Sequence, residues 1–349
     1  MRINFVLPRV YDRPMGGVKI VYQYAKKMAD NNNDVHIYFY VGHIYDWKTI
    51  LKILFDKTIL KKKVKQVSWF DIKGVKLHFD QTYKDISRIS EGKIIATHWS
   101  TANAVYRSHC VDKNKYYLIQ DYEIFDPAVT KDELDATWNL PLKKIVISKW
   151  LYEKGKKLGV SEDDMTYVPN FIDTNDFPII EKDPQKRNYI SFLWHNNPRK
   201  QSYMGISIAN KLKEKFPNIE VVMFGANITD NPEKIKIVDN ASIEQLNHIY
   251  RHSLVYFMPS RSEGWGLTGM EAMACGAAVV TIDNGGIWEY ANRNSAVIVK
   301  NNEDELFNSI CELITNSSKR RKLVYNSFQE IKKLTLDESY KKLLSALNC

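Results

Sequence analysis

Ser260-Arg261-Ser262-Glu263-Gly264-Trp265-Gly266-Leu267-Thr268-Gly269-Met270-Glu271-Ala272-Met273-Ala274-Cys275-Gly276 is the stretch that decides the fold. The apolar run Leu254–Met258 before it reads as a strand, and a helix is predicted over Thr268–Ala274. A second apolar run, Ala278–Ile282, follows at once, so strand, loop, helix and strand make one unit of a parallel α/β sheet. Gly264, Gly266 and Gly269 formally match Gly-x-Gly-x-x-Gly, and Asp283 lies nineteen residues after the first of them. Geometry argues against a dinucleotide label. Pro259 to Glu263 separate the strand end from the first glycine, and the loop comes late in its domain. What survives is physical: small residues let backbone approach a ligand, and N–H groups at a helix start attract phosphate.

Glu263 and Glu271 flank that loop at a spacing of eight. Thr268-x-x-Glu271 also has the form of a capping box, which would by itself explain Glu271. Glu263 has no such explanation. A carboxylate beside a phosphate site is unfavourable unless it accepts hydrogen bonds from hydroxyls. Sugars and riboses supply hydroxyls, so a nucleotide-sugar explains the pair better than a bare phosphate.

These residues resemble the signature of retaining GT-B glycosyltransferases of family 4: Glu-x7-Glu followed by Ala-Met-Ala-Cys-Gly. Asp283-Asn284-Gly285-Gly286-Ile287-Trp288-Glu289 is similar to that family's next glycine turn. Val168-Pro169-Asn170 is similar to its domain linker, and Gly16-Gly17 to the glycine loop after its first strand. The likeness is most specific over 255–290 and weakest over 40–90.

The resemblance implies roles. Glu271 would accept hydrogen bonds from the nucleotide ribose, and Glu263 would hold hydroxyls of the donor sugar. Backbone N–H groups of Gly264, Trp265, Gly266, Leu267 and Thr268 would bind sugar and diphosphate, with Gly16 and Gly17 closing over the diphosphate. Arg199 and Lys200 would neutralise the diphosphate, Lys200 first. The two are adjacent here where many members space them apart, and Gln201 stands where glycine is common. An ordinary solvated basic turn is the alternative. His98, after the strand Lys93–Ala96, stands where a family histidine contacts the donor sugar or its phosphate; a structural helix-cap histidine is the other reading. Gln120-Asp121-Tyr122-Glu123 is similar to a segment of some bacterial rhamnosyltransferases. Asp121 and Glu123 would contact acceptor or donor hydroxyls, or cap the next segment. Base recognition, through backbone near Asn240 and Ala241, would leave UDP, GDP and dTDP undistinguished.

Outward from this stretch, apolar runs alternate with helical patterns twice. Residues 1–168 form an expected N-terminal acceptor-side Rossmann-like domain and 169–187 a linker. Residues 188–335 form a nucleotide-sugar-binding domain, and 336–349 a C-terminal helix returning to the first domain. The fold class is therefore α/β, GT-B, two doubly wound domains facing across a cleft, with ligands at the carboxyl ends of strands.

The 349 residues are 44% hydrophobic and 26% charged, which excludes disordered and collagen-like chains. A net charge of +9 suits anionic partners without choosing among them. Residues 46–65 hold seven lysines and two aspartates among Trp47, Ile50, Leu51, Ile53, Leu54 and Phe55. Across 46–70 the pattern suits either a helix on an anionic membrane or a core helix with a solvated lysine end. Met1–Pro8 reads as a strand too short for a signal peptide. Ala272–Ile282 is the longest weakly polar run, short of the roughly 20 residues a spanning helix needs. Cys110, Cys275, Cys311 and Cys349 form no Cys-x-x-Cys pair, so a reducing compartment is expected. The expected place is the cytoplasm, with contact at the inner face of the membrane.

The sequence thus points to a transferase moving a sugar from a nucleotide-diphosphate donor to an acceptor hydroxyl with retention, in assembly of a bacterial surface glycan on a glycan or lipid-linked acceptor. No cofactor and no nucleic-acid partner are expected, and the absence of an Asp-x-Asp tripeptide agrees with a mechanism that needs no metal. Glu263, Lys200 and His98 are the expected catalytic residues. Two rivals are a dehydrogenase using the glycine triplet with Asp283 and a non-catalytic subunit of the same fold.

Overall fold

The computed structural model describes residues 1–41, 66–181 and 187–348. Its backbone divides into two compact units, Met1–Val168 with Tyr340–Cys349, and Pro169–Ser339.

The first unit is built on seven parallel strands: β1 (Arg2–Leu7), β2 (Asp34–Tyr40), β3 (Lys76–Gln81), β4 (Lys93–Ala96), β5 (Lys115–Ile119), β6 (Lys143–Val146) and β7 (Met165–Tyr167). Their order is β3-β2-β1-β4-β5-β6-β7. The inner strands are near-continuous apolar runs because helices cover both faces. Phe5, Ile37 and Ile95 lie side by side in register and fully buried. Asn4 is buried among them, and its Nδ2 donates to the carbonyls of Glu91 (2.9 Å) and Lys93 (3.1 Å), fixing β1 against the start of β4. Among the described residues, five helices accompany the sheet: α1 (Gly16–Asp30), α2 (Tyr83–Ser87), α3 (Trp99–Tyr106), α4 (Lys131–Trp138) and α5 (Lys149–Lys157). Strand order reverses between β1 and β4, so α1 and α3 both start at the switch point where such sheets bind ligands.

The second unit repeats the plan with β8 (Tyr189–Trp194), β9 (Glu220–Gly225), β10 (Lys236–Asp239), β11 (Ser253–Met258), β12 (Ala278–Ile282) and β13 (Val297–Val299) in the order β10-β9-β8-β11-β12-β13, all parallel. Its helices are α6 (Ser202–Lys215), α7 (Ile243–His252), α8 (Leu267–Ala274), α9 (Glu303–Thr315) and α10 (Ser317–Ile331). Phe192 and Phe257 stack at 4.8 Å in the core beneath α6 and α9. Here the switch point lies between β8 and β11, and the loops leaving those strands carry Lys200 and Glu263. α11 (Leu336–Ala346) begins in this unit and ends in the first, where the Leu347 carbonyl accepts a hydrogen bond from Tyr116 (3.2 Å).

Two doubly wound α/β units are thus present, as the alternating pattern predicts. Three details differ. The edge strand β10 was not expected, having only two apolar residues. The described residues from Pro169 to Glu181 form no regular element, but they belong to the second unit. Asn170, Phe171, Ile172 and Phe177 are buried, and Ile172 N–H donates to Leu334 (2.9 Å). Most of the basic apolar segment 46–70 lies outside the described residues. Its end does not: Trp69 and Phe70 pack on Tyr22 of α1, with centroids 5.2 and 5.6 Å away, and the Trp69 indole donates to the Tyr11 carbonyl.

Candidate active site

The loop after β8 makes a single 3-10 turn over Pro198–Lys200. Asn197 caps it by accepting from Arg199 N–H (3.1 Å), and proline supplies the first turn residue, which needs no N–H donor. Gln201 then takes φ +50°, a left-handed conformation that favours glycine. The reversal sends Lys200 across to the loop after β11. Its Nζ lies 2.6 and 2.7 Å from the two carboxylate oxygens of Glu263. Only 14% of the lysine side chain and 7% of the glutamate are exposed. Burial pushes the Glu263 carboxyl up. The charges of Lys200 and Arg199, with hydrogen bonds from Lys200 and Ser260, outweigh burial and hold the group below the usual carboxylate range.

Arg199 binds the same two loops together. Its Nη1 donates to the Ser262 carbonyl (3.0 Å), and its own carbonyl accepts from Arg261 N–H (2.8 Å). A third loop joins through Glu263, whose N–H donates to Asn284 (3.0 Å) and which bridges to Gly285. Lys200, Glu263 and the glycine turn after β12 therefore share one end of the sheet.

The helix start departs from the expected capping box. α8 begins at Leu267, and its N-cap is Gly266 at φ +90°, with no side-chain cap. Thr268 is thus already inside the helix, where its Oγ1 accepts from Tyr256 OH (2.9 Å). Glu271 accepts from Tyr250 OH (3.2 Å). Glu271 therefore does not owe its place to capping. Gly266 and Gly269 both serve Tyr290. The tyrosine OH donates to the Gly266 carbonyl (2.9 Å), and a Cβ at Gly269 would stand 2.3 Å from that oxygen. The Trp265 side chain is buried, 6.0 Å from the Tyr290 ring. Two glycines of the triplet, Gly266 and Gly269, thus face a phenol from within the unit. Asp283 accepts from Trp288 Nε1 (2.8 Å). Gly266, Gly269 and Asp283, which a dehydrogenase reading requires, are engaged inside the protein.

In the first unit, Gly16 and Gly17 form the uncapped first turn of α1. A Cβ at Gly17 would meet the Gln120 amide at 3.1 Å. His98 caps α3: its Nδ1 accepts from Ser100 N–H (3.3 Å), leaving the ring proton on Nε2, which faces Glu123 (3.5 Å) and Asp126 (3.9 Å). Burial pulls the His98 pKa down to about 4 against the pull of Asp126, with Arg9 adding to the fall, so the ring is neutral at pH 7. Glu123 accepts from Trp99 N–H (2.8 Å), so it caps α3, upstream of itself, rather than the segment that follows. Asp121 accepts from Tyr122 N–H (2.9 Å).

Among the described residues, no group of three or more His, Cys, Asp or Glu side chains is placed to hold a metal ion. No described helix is long and apolar enough to cross a membrane. Among the described residues, Cys110, Cys275 and Cys311 are buried and form no disulfide.

Residues 173–330, which include Lys200, Glu263 and α8, match the family of glycosyl transferases group 1. That match covers a little under half of the 349 residues. An uncharacterized glycosyltransferase of Methanocaldococcus jannaschii is 30% identical over 113 residues, 32% of each chain. A phosphatidyl-myo-inositol mannosyltransferase of Propionibacterium freudenreichii subsp. shermanii is 28% identical over 119 residues, 32% of this chain and 31% of that one. These alignments span about a third of each curated relative. The crystal structure of Anabaena HepE in complex with UDP and glucose is 14% identical with a TM-score of 0.74, covering 100% of this chain and 99% of that one. The fold is that of GT-B glycosyltransferases.

Within the matched residues the structure brings together Arg199, Lys200, Glu263 and the 264–268 backbone. Gly16, Gly17, His98, Asp121 and Glu123 belong to the other unit. Tyr250, Tyr256 and Tyr290 escaped the sequence reading. Each is a buried aromatic in or beside an apolar run, and nothing local distinguishes a core tyrosine from one whose hydroxyl holds a loop.

Proposed function

We propose that the protein is a retaining glycosyltransferase that uses a nucleotide-diphosphate sugar. The observation that carries this reading is the buried pair of Lys200 and Glu263 beside the uncapped start of α8. Two cations, Lys200 and Arg199, face one carboxylate there, which leaves a local excess of positive charge at a helix N-terminus. A diphosphate fits that excess, and Glu263 is the acceptor group available for sugar hydroxyls. Glu271, inside the first turns of the same helix, is the corresponding group for ribose. The UDP and glucose named for the HepE structure are ligands of this chemical kind.

In the proposed reaction the bond between the sugar C1 and the diphosphate oxygen breaks as negative charge gathers on the leaving group. Lys200, Arg199 and the α8 N–H groups stabilise that charge without a resident metal. The acceptor oxygen bonds to C1 from the same face, and its proton passes to the departing phosphate. No side-chain base is required, which agrees with a neutral His98 that serves to position donor or acceptor. The acceptor we infer is a bacterial surface glycan or its lipid-linked precursor, met at the inner face of the membrane.

Glu263→Ala tests the reading. Transfer should vanish while circular dichroism and cooperative unfolding persist; transfer near the wild-type rate would remove Glu263 from the donor site.

A further inference from the structure

The turn after β12 carries an aromatic side chain that the transfer chemistry leaves unused. Trp288 keeps 40% of its surface in solvent. Leaving an indole exposed forgoes a large hydrophobic gain, so a turn that only needed filling would bury it. The ring is held nonetheless. Its Nε1 donates to Asp283 Oδ1 at 2.8 Å, and the Arg293 guanidinium stands 5.6 Å from its centroid. The backbone beneath is fixed as well: Ile287 is buried, its N–H donates to Asn284 Oδ1 (3.0 Å), and Gly286 packs against the Trp265 carbonyl. The same turn is tied to Glu263 by the hydrogen bond from Glu263 N–H to Asn284.

A half-exposed indole, with its N–H satisfied by a carboxylate at the edge and a guanidinium over the ring, keeps flat apolar surface in solvent with polar groups beside it. A pyranose ring has the complementary form: C–H groups on one face and hydroxyls around the edge. Because the platform is already ordered, little freedom is lost on binding. We propose that Trp288, Asp283 and Arg293 form a saccharide-binding subsite in which a pyranose ring of the acceptor glycan lies on the indole. That the ring belongs to an acceptor rests on the transferase reading; the binding of a sugar ring does not.

Saturation-transfer NMR on the full chain tests it, with methyl glycosides of glucose, mannose, rhamnose and N-acetylglucosamine at millimolar concentration and no nucleotide present. At least one glycoside should receive saturation at its ring C–H protons from the wild type. Trp288→Ala should weaken that binding roughly tenfold, the equivalent of about 1.4 kcal/mol, and Trp288→Tyr should largely keep it. Absence of transfer for every glycoside with the wild type, or transfer undiminished in Trp288→Ala, overturns the subsite. Melting shifts with nucleoside diphosphates, run on the same proteins, separate the two readings. Glycoside binding that depends on Trp288 supports the subsite even where no nucleotide binds, and that second result would count against the transferase reading alone.

Discussion

Lys200 and Glu263, sixty-three residues apart, close on each other with both carboxylate oxygens within 2.7 Å of the ammonium. Each group therefore compensates the other's burial. Removing one leaves a charge with no partner in a place that excludes water.

The first prediction concerns that pair. Lys200→Met should lower unfolding stability by about 3–5 kcal/mol, because the carboxylate remains buried. The double variant Lys200→Met/Glu263→Leu should recover most of the loss. Urea titrations of the two single variants and the double variant check it; additive losses would mean that the pair is not coupled.

Acid should expose the same coupling. The folded Glu263 carboxyl lies below its ordinary range, so its contribution is present above the unfolded value of about 4.3 and is lost as pH falls through the folded value. Glu263→Gln should therefore lose less stability than the wild type between pH 5 and pH 3, a difference read from urea midpoints.

His98 acts in a higher window with the same sign. Its folded pKa of about 4 lies below the ordinary value of about 6.5, so the unfolded chain binds more protons between the two. Stability present above pH 6.5 is lost as pH falls toward 4. His98→Asn keeps a residue able to cap α3 and should flatten this slope. Burial also lowers His36 and His78, so the comparison is between variant and wild type rather than against a flat baseline.

Tyr290 and Gly269 should couple. Gly269→Ala drives a methyl into the tyrosine oxygen and should cost about 1–3 kcal/mol. Tyr290→Phe alone removes one hydrogen bond, about 1 kcal/mol. With the oxygen gone, the nearest ring carbon is 3.3 Å from the added Cβ, so the double variant should be more stable than the sum of the two losses predicts. A thermodynamic cycle measures this, and simple additivity would remove Tyr290 as the support of the 264–269 loop.

Much of the fold was legible because parallel strands buried on both faces are written as apolar runs. β8, β11 and β12 each show one, and Leu267–Ala274 follows its strand after a loop of small residues. β10 was hidden because Lys236-Ile-Val-Asp239 is short, half-exposed and charged at both ends. The site was legible in its residues but not in their partners. Thr268-x-x-Glu271 has the letters of a capping box, yet Gly266 takes the cap position, two residues before Thr268. Glu123 was legible as a capping group, but the helix it caps lies twenty-four residues upstream in a pairing that no local pattern encodes. Lys200 and Glu263 were both assigned to a ligand because nothing in either loop shows that the two meet.

The central claim is that a diphosphate settles beside Lys200 while Glu263 takes the sugar. The most direct measurement is the melting temperature of wild type and Glu263→Gln with UDP, GDP, dTDP, ADP and CMP, and then with the sugar conjugate of whichever nucleotide binds. The account predicts that one nucleoside diphosphate raises the melting temperature of both proteins, and that its sugar conjugate raises it further only in the wild type. No shift with any nucleotide, or an equal gain from the sugar in both proteins, would contradict it.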